Sequence, residues 1–326
     1  MRILSGIQPS GRPHLGNYFG AIRQYISLQK GNEPFYFIAS YHALTAVQDP
    51  VLLREYTVGV ALDFLALGLD PNEATLFAQQ DVPEVTELTW ILSCVTPMGM
   101  LERAVSYKDK IAQGLTPNHG LFAYPVLQAA DILIYLSDLV PVGQDQKQHI
   151  EMTRDLAAKF NQQWGEVFTI PEPYILDSTA VVPGIDGRKM SKSYDNTIGI
   201  FDEGSALKKK VMSIVTDSTP VEEPKDPSGS TPYLLLRLLA DAEEAAEWEA
   251  RYKAGGMGYG DVKKRLLALI DETFAPYRER RRELAADPDY VMDVLTDGGK
   301  RARAVAQQVM HRVREAVGLP TSYARG

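Results

Sequence analysis

The chain has 326 residues, 45% of them hydrophobic and 23% charged, with a formal net charge of -8 and a pI near 5.3. This size accommodates about two domains. No run approaches the roughly 18 apolar residues of a membrane helix, and "MRILSGIQPSG" lacks the apolar stretch of a signal peptide, so a cytoplasmic protein without membrane contact is expected. The acidic balance excludes indiscriminate coating of nucleic acid, which rests on neutralising many phosphates. A single cysteine, Cys94, excludes an internal disulfide and a multi-cysteine metal site, and it reads as a small buried apolar residue.

In chain order, "RILSGIQ" predicts a strand that leads through "PSGRPHLGN" into the helical "YFGAIRQYISLQ". "PFYFIAS" predicts a second strand, followed by the long helix "PVLLREYTVGVALDFLALG", and "ATLFAQQ" a third. Two more strands are expected at "LVPVG" and "YILDSTAVVPG". Strand, crossover helix and strand in this order imply an α/β fold, a Rossmann-type parallel sheet with right-handed connections. From about residue 195 the β-rich runs stop and helical patterns take over, which divides the chain into a catalytic α/β domain over 1–195 and a mainly helical domain over 196–326. The terminal helix is left free to pack back on the first domain. The loop-like stretch 216–232 is long enough to suggest a functional connection rather than a tether.

An open parallel sheet binds its ligand at the carboxyl ends of its strands. The first such loop carries Gly11 and Gly16, which allow close backbone approach, His14 as a donor, and Asn17 near the helix start. Neither G-x-G-x-x-G nor G-x-x-x-x-G-K-[ST] occurs. Further on, "GIDGRKMSKSYDN" (184–196) reads on composition alone as a solvated turn. In the C-terminal third, "YRERRRE" (277–283) and "KRARAVAQQVMHRVR" (300–314) are either solvated helix faces or a local basic surface for a specific RNA.

"PHLGN" followed much later by "KMSKS" resembles the paired HIGH and KMSKS motifs of class I aminoacyl-tRNA synthetases. "SGIQPSG", "GNYFGAIRQY", "YPVLQAADILIY" and "VPVGQDQKQHIEMTRDLAAKFN" resemble the tryptophanyl-tRNA synthetases in particular, and the likeness runs over essentially the whole chain. The resemblance implies a Rossmann-type catalytic domain and a helical domain that reads the tRNA anticodon, in a homodimer. It implies ligation of tryptophan to tRNA(Trp) at the expense of ATP, with Mg2+ held by phosphates and water and no zinc or iron-sulfur cluster. The basic stretches then become the expected source of phosphate contacts.

By the same resemblance, Lys189 and Lys192 would meet the triphosphate where leaving-group charge grows. Ser191 and Ser193 would add donors, and Met190 would hold the loop by apolar packing. Opposite them His14 and Asn17 would bind phosphate oxygens, with Gln8, Pro9, Ser10 and Gly16 on the same wall. Lys110 would be a further triphosphate contact or an exposed helix charge. Gly143 would admit the nucleotide, Gln144 stands where relatives usually have Glu, Asp145 would bind the ribose, and Val181 would offer its backbone to adenine. Gln146 would hold the amino-acid end of the substrate.

Asp131 is the only charge in a strongly apolar stretch and needs a partner. That partner is an arginine, a helix cap or, by the resemblance, the indole N–H of tryptophan. His42, Val140 and Val142 would complete the pocket, His42 also being readable as a satisfied core histidine. Leu4, Ser106 and Gln128 depart from the Phe, Gln and Met common in bacterial relatives. Gln128 with Asp131 makes a Q-x-x-D spacing that also resembles the tyrosyl enzymes, so tyrosine is the rival substrate. A non-catalytic paralogue that binds tryptophan or RNA is the rival of another class, disfavoured by intact His14, Asn17, Lys189 and Lys192.

Overall fold

A computed structural model describes residues 1–104, 118–175 and 182–319. Strand β1 (Arg2–Ile7) leads into α1 (Leu15–Asn17), a π-helical turn (Tyr18–Ile22) and α2 (Arg23–Leu28). Then come β2 (Glu33–Ile38), α3 (Ser40–Ala43), α4 (Pro50–Ala66) and β3 (Thr75–Ala78). Helices α5 (Glu84–Ser93), α6 (Met98–Glu102) and α7 (His119–Leu133) precede β4 (Leu139–Val142), α8 (Lys147–Trp164) and β5 (Glu172–Ile175). The rest is helical: α9 (Gly204–Met212), α10 (Thr231–Leu239), α11 (Ala242–Ala254), α12 (Tyr259–Ala286) and α13 (Pro288–Ala316). Local signals set several of these ends. Asp49 accepts from the N–H groups of Val51 and Leu52 ahead of Pro50 and so caps α4, and Asn118 accepts from Leu121 N to cap α7.

The strands form one parallel sheet in the order β3-β2-β1-β4-β5. All five predicted strands are present, β5 beginning at Glu172, slightly earlier than its sequence pattern. Alternation divides the faces: Phe35, Phe37 and Phe77 enter one apolar cluster, Tyr36, Ile38 and Leu76 the other. The first cluster holds α5, α7 and α8; the second runs unbroken from α1 and α4 through Val182 and Ile198 into α10 and α12.

The strand order reverses between β1 and β4, and there the sheet opens. These two strands share a single register pair, Ile3 with Leu139. Farther along, Pro141 has no N–H to donate to a ladder, and Ser5 Oγ instead donates to its carbonyl at 3.1 Å. The resulting gap faces the carboxyl ends of the strands, where an open α/β sheet takes its ligand.

Helix α13 covers the exposed edge strand β3, and a glycine pair makes this possible. A Cβ on Gly298 would lie 1.8 Å from the Leu76 carbonyl oxygen, and one on Gly299 2.9 Å from Asp81 Cβ. The helix is tied down by the arginines that the sequence offered to RNA. Arg303 pairs with Glu84 at 2.8 Å, Arg314 with Glu87, and Arg301 and Arg312 donate to the carbonyls of Pro71 and Val167 at 3.0 Å each. In α12, Arg278 pairs with Asp271, Arg281 with Asp63, Arg280 with Glu283 and Arg282 with Glu203 and Glu279. Every lysine and arginine of the two basic stretches thus has a protein partner, Lys300 with Asp297 included. Arg281, Arg301, Arg303, Arg312 and Arg314 seat the helices on the sheet domain, whereas Arg280, Arg282 and Lys300 stay more than half exposed.

A correction concerns Cys94, which is exposed. It caps the C-terminus of α5, where its thiol faces the Trp90 carbonyl beside exposed Trp90 and Met98 instead of entering the core. The 216–232 connection is organised by buried Lys225, whose ammonium donates to the carbonyls of Pro220, Val221 and Glu223 at 2.7, 3.3 and 3.1 Å. Among the described residues no helix is long and apolar enough to cross a membrane.

Gly298→Ala tests the packing of α13 on β3. In an unencumbered helix this change stabilises by about 1 kcal/mol; here the collision with Leu76 should reverse the sign and lower stability by about 2 kcal/mol. Urea unfolding reads the difference, and a raised midpoint would refute the close approach.

Candidate active site

Residues 13–15 and 198–200 are joined by an isolated antiparallel bridge. Leu15 N donates to Ile198 O at 2.9 Å, Ile200 N to Pro13 O at 3.3 Å, and His14 bridges Gly199. Asn17 Oδ1 accepts from His14 N at 3.0 Å, fixing the entry into α1. His14 is 7% exposed with Nδ1 unpartnered among the described residues. Burial, aided by the Lys192 charge, lowers its pKa to about 4, so the imidazole is neutral at physiological pH. Gly16 makes room for this ring, since a Cβ there would lie 2.9 Å from His14 Nδ1.

The loop from 184 to 196 is folded back on itself. Met190 N donates to Val182 O and Gly184 N to Arg188 O, with Gly187 at φ 81° closing the turn. Buried Asn196 holds it from inside: its Nδ2 donates to Asp186 Oδ1 at 2.7 Å and to Lys189 O at 3.1 Å, while its Oδ1 accepts from Ser191 N at 2.8 Å. Gly184 leaves the room Asn196 needs, a Cβ there falling 2.3 Å from the amide. Met190 is buried, and its sulfur accepts from Gly16 N at 3.4 Å, so the loop is held by a polar contact as well as by packing. The Lys192 residue is exposed, yet its ammonium turns inward to the Ser10 and Gly11 carbonyls at 2.9 Å each. Desolvation lowers its pKa against the opposing pull of Asp63.

Two cavities meet at the gap in the sheet and share Gly6, Gln8 and Tyr25 on their walls. The smaller, about 300 Å³, includes Ser10, Gly11, Asn17, Asp63 and Lys192. The larger, about 450 Å³, brings Leu4, His42, Gln128, Asp131, Val140, Val142, Gly143 and Gln146 together. Pro9, His14, Gly16, Gln144, Lys189, Met190, Ser191 and Ser193 line neither cavity. Lys110, Ser106 and Val181 lie outside the described residues, as does the side chain of Asp145.

Asp131 is 3% exposed at the end of the larger cavity. Its partners are neither an arginine nor a helix cap. Gln79 Nε2 donates to both carboxylate oxygens at 2.8 and 2.9 Å, and His42 Nε2 lies 2.8 Å from Oδ2. Burial pushes the carboxyl above the usual range against the pull of these two groups. Gln79 is itself held, its Oε1 accepting from Tyr41 N at 2.9 Å. Sequence reasoning missed Gln79 and Asn196. Gln79 stands directly after β3, at the ligand edge of the sheet, and that position was the available signal.

An open parallel sheet with cavities at its switch point defines a nucleotide-binding α/β protein. The model of tRNA synthetases class I (W and Y) matches residues 1–275. The tryptophan–tRNA ligase of Rhodopirellula baltica is 57% identical over 98% of this chain and all of its own length, and that of Fusobacterium nucleatum 56% over 98% of each. The crystal structure of tryptophanyl-tRNA synthetase from Campylobacter jejuni, complexed with ADP and tryptophan, superposes with a TM-score of 0.91 at 49% identity, covering 98% of this chain and 100% of that one. The chain belongs to the tryptophanyl-tRNA synthetase family, within the class I synthetases.

Because His14 is buried neutral, the unfolded chain takes up a proton that the native chain refuses between pH 6.5 and about 4. Stability carried by this group is present above pH 6.5 and lost as the pH falls through that window, by at most about 3 kcal/mol. The urea midpoint of His14→Gln should fall less than that of the parent between pH 7 and 4. Equal losses would remove His14 from this role.

Proposed function

We infer that the protein is a tryptophan–tRNA ligase that works through an adenylate. The observation that carries this reading is the junction of the two cavities at Gly6, Gln8 and Tyr25, one ending at buried Asp131 and the other at Asn17 and Lys192. A small aromatic amino acid in the first and a nucleotide polyphosphate reaching into the second bring carboxylate and α-phosphate together. Asp131 accepts the indole N–H, its remaining lone pairs being aimed by Gln79 and His42. Leu4, Val140 and Val142 supply apolar wall, Gln128 lies on the same wall, and Gln146 holds the amino-acid end.

The tryptophan carboxylate oxygen forms a bond to the α-phosphorus as the bond to the bridging oxygen breaks, releasing pyrophosphate. The negative charge that grows on pyrophosphate is met by Lys192, with Lys189, Lys110 and the hydroxyls of Ser191 and Ser193. His14 and Asn17 bind phosphate oxygens, His14 as a neutral donor once the loop moves. Gln8, Pro9, Ser10, Gly16, Gly143, Gln144, Asp145 and Val181 surround the nucleotide. Magnesium arrives on the triphosphate as part of the substrate; among the described residues no group of three or more His, Cys, Asp or Glu is arranged to hold a metal ion. The terminal ribose 2'-hydroxyl of tRNA(Trp) then attacks the adenylate carbonyl, and AMP leaves. No side chain needs to act as general base in the first step, since the carboxylate is already a nucleophile; catalysis is positioning and charge stabilisation.

The helical segment 196–326 is proposed to read the anticodon, in the cytoplasm. A homodimer is proposed as well, supported by two exposed large apolar side chains, Trp90 on α5, 73% exposed, and Met98 on α6.

ATP–pyrophosphate exchange should require tryptophan. An analogue with sulfur in place of the indole N–H should be rejected by about 10- to 100-fold, because one hydrogen bond to buried Asp131 is lost while Gln79 and His42 stay on it. Exchange with tyrosine equal to that with tryptophan would move the chain to the tyrosyl branch.

Lys192→Ala should lower kcat for exchange by about 100-fold and leave the tryptophan KM within about twofold. A raised tryptophan KM at normal kcat would take Lys192 out of the transition state.

A further inference from the structure

The cavity that holds Lys192 also holds a buried carboxylate that adenylation does not use. Asp63 stands in the last turn of α4, where the helix dipole disfavours an anion, and its side chain is 3% exposed. It lines the same cavity as Ser10, Gly11, Asn17 and Lys192. Its hydrogen-bond partner is Arg281 of α12, Nε to Oδ1 at 2.6 Å. Arg281 is held in turn, its guanidinium 5.0 Å above the ring of Phe201, just beyond the lysine loop.

An anion at this depth demands a cation. Burial raises the Asp63 pKa, and Arg281, Arg12 and Lys192 pull it back, Arg281 the most strongly. With Arg281 on the carboxylate, the Lys192 ammonium rests on two neutral backbone carbonyls, Ser10 and Gly11. Those are acceptors that a polyphosphate outcompetes, whereas a buried carboxylate is not.

We propose that Arg281 is a positioning residue for adenylation: by pairing with Asp63 it keeps the buried carboxylate in the cavity wall from competing for Lys192, which stays available to ATP. This rests on the reading that Lys192 meets the triphosphate. It places a residue of α12, deep in the C-terminal helical segment, in control of the electrostatics at the ATP end of the site. Loss of Arg281 exposes Asp63, which captures Lys192 and repels phosphate. Loss of the Asp63 charge leaves the Arg281 cation unpaired behind the cavity wall, where it adds positive potential toward the phosphates, so the two substitutions act on ATP in opposite directions. A pair that served only to hold helices together would damage both variants in the same direction.

The test is tRNA-independent ATP–pyrophosphate exchange by the parent, Arg281→Met, Asp63→Asn and the double variant, with Lys192→Ala alongside and thermal midpoints measured for each. Arg281→Met should lower kcat/KM for ATP by about tenfold with the tryptophan KM unchanged. Asp63→Asn should lower the ATP KM by about threefold, and the double variant should return to within about threefold of the parent. Should Arg281→Met fail to fold, Asp63→Asn and the double variant still decide, through the fall in ATP KM and its cancellation. A raised ATP KM in Asp63→Asn, or a double variant no better than Arg281→Met, overturns the proposal. If Lys192→Ala keeps full exchange, the assignment of Lys192 falls and this inference with it. If Lys192→Ala loses exchange while the pair fails to cancel, this inference alone falls.

Discussion

The site depends on a few backbone hydrogen bonds between residues 13–15 and 198–200. They lie far apart in the chain, and each motif is by itself an irregular loop with polar groups to satisfy. Paired, they satisfy one another, and the Met190 sulfur on Gly16 N adds a contact between the motifs themselves. The glycines near this seam are there for contact: Gly16 makes room for the His14 ring and Gly184 for the Asn196 amide. The loop carrying Lys192 is therefore a folded object, braced by Asn196 from within and by the Lys192 ammonium on the Ser10 and Gly11 carbonyls.

Two buried carboxylates face the adjoining cavities, and the protein treats them differently. Asp131 is met by the Gln79 amide and the His42 ring, which hold it in place, with no guanidinium or ammonium on it. Asp63 is met by a guanidinium, which cancels it. Burial raises the pKa of both. On the proposed reading, a carboxylate that accepts from the substrate needs unspent acceptor capacity, and one beside a polyphosphate needs to be silenced.

The C-terminal arginines carry the same logic to the whole molecule. With a net charge of -8, the chain has more anions than cations to place. Glu84, Glu87 and Asp63, on helices of the sheet domain, are matched by Arg303, Arg314 and Arg281 from α13 and α12. Such pairs, partly sheltered from water, select one docking of helix on sheet more than they add stability. Gly298 and Gly299 supply the close fit that goes with them.

The sequence by itself determined the five strands, the parallel sheet and the two loops, 8–17 and 184–196, that meet at the Lys192 contact with Ser10 and Gly11. Strand periodicity and turn residues act over a few neighbours, and the HLGN and KMSKS runs are contiguous. It also singled out Asp131, because one charge in an apolar helix stands out locally. The tertiary structure decided what depends on residues distant in the chain. Only the fold could show that Gln79 holds Asp131, that Asn196 braces the lysine loop from within, that Gly16 serves a histidine, and that Cys94 ends outside the core. The basic stretches are the clearest case: "RERRR" looks the same in a chain whether its charges face phosphate or carboxylate. What separates the two is the approach of Asp63, Glu84 and Glu87 across more than two hundred residues, and Coulomb energy depends on distance in space, which the order of residues does not record.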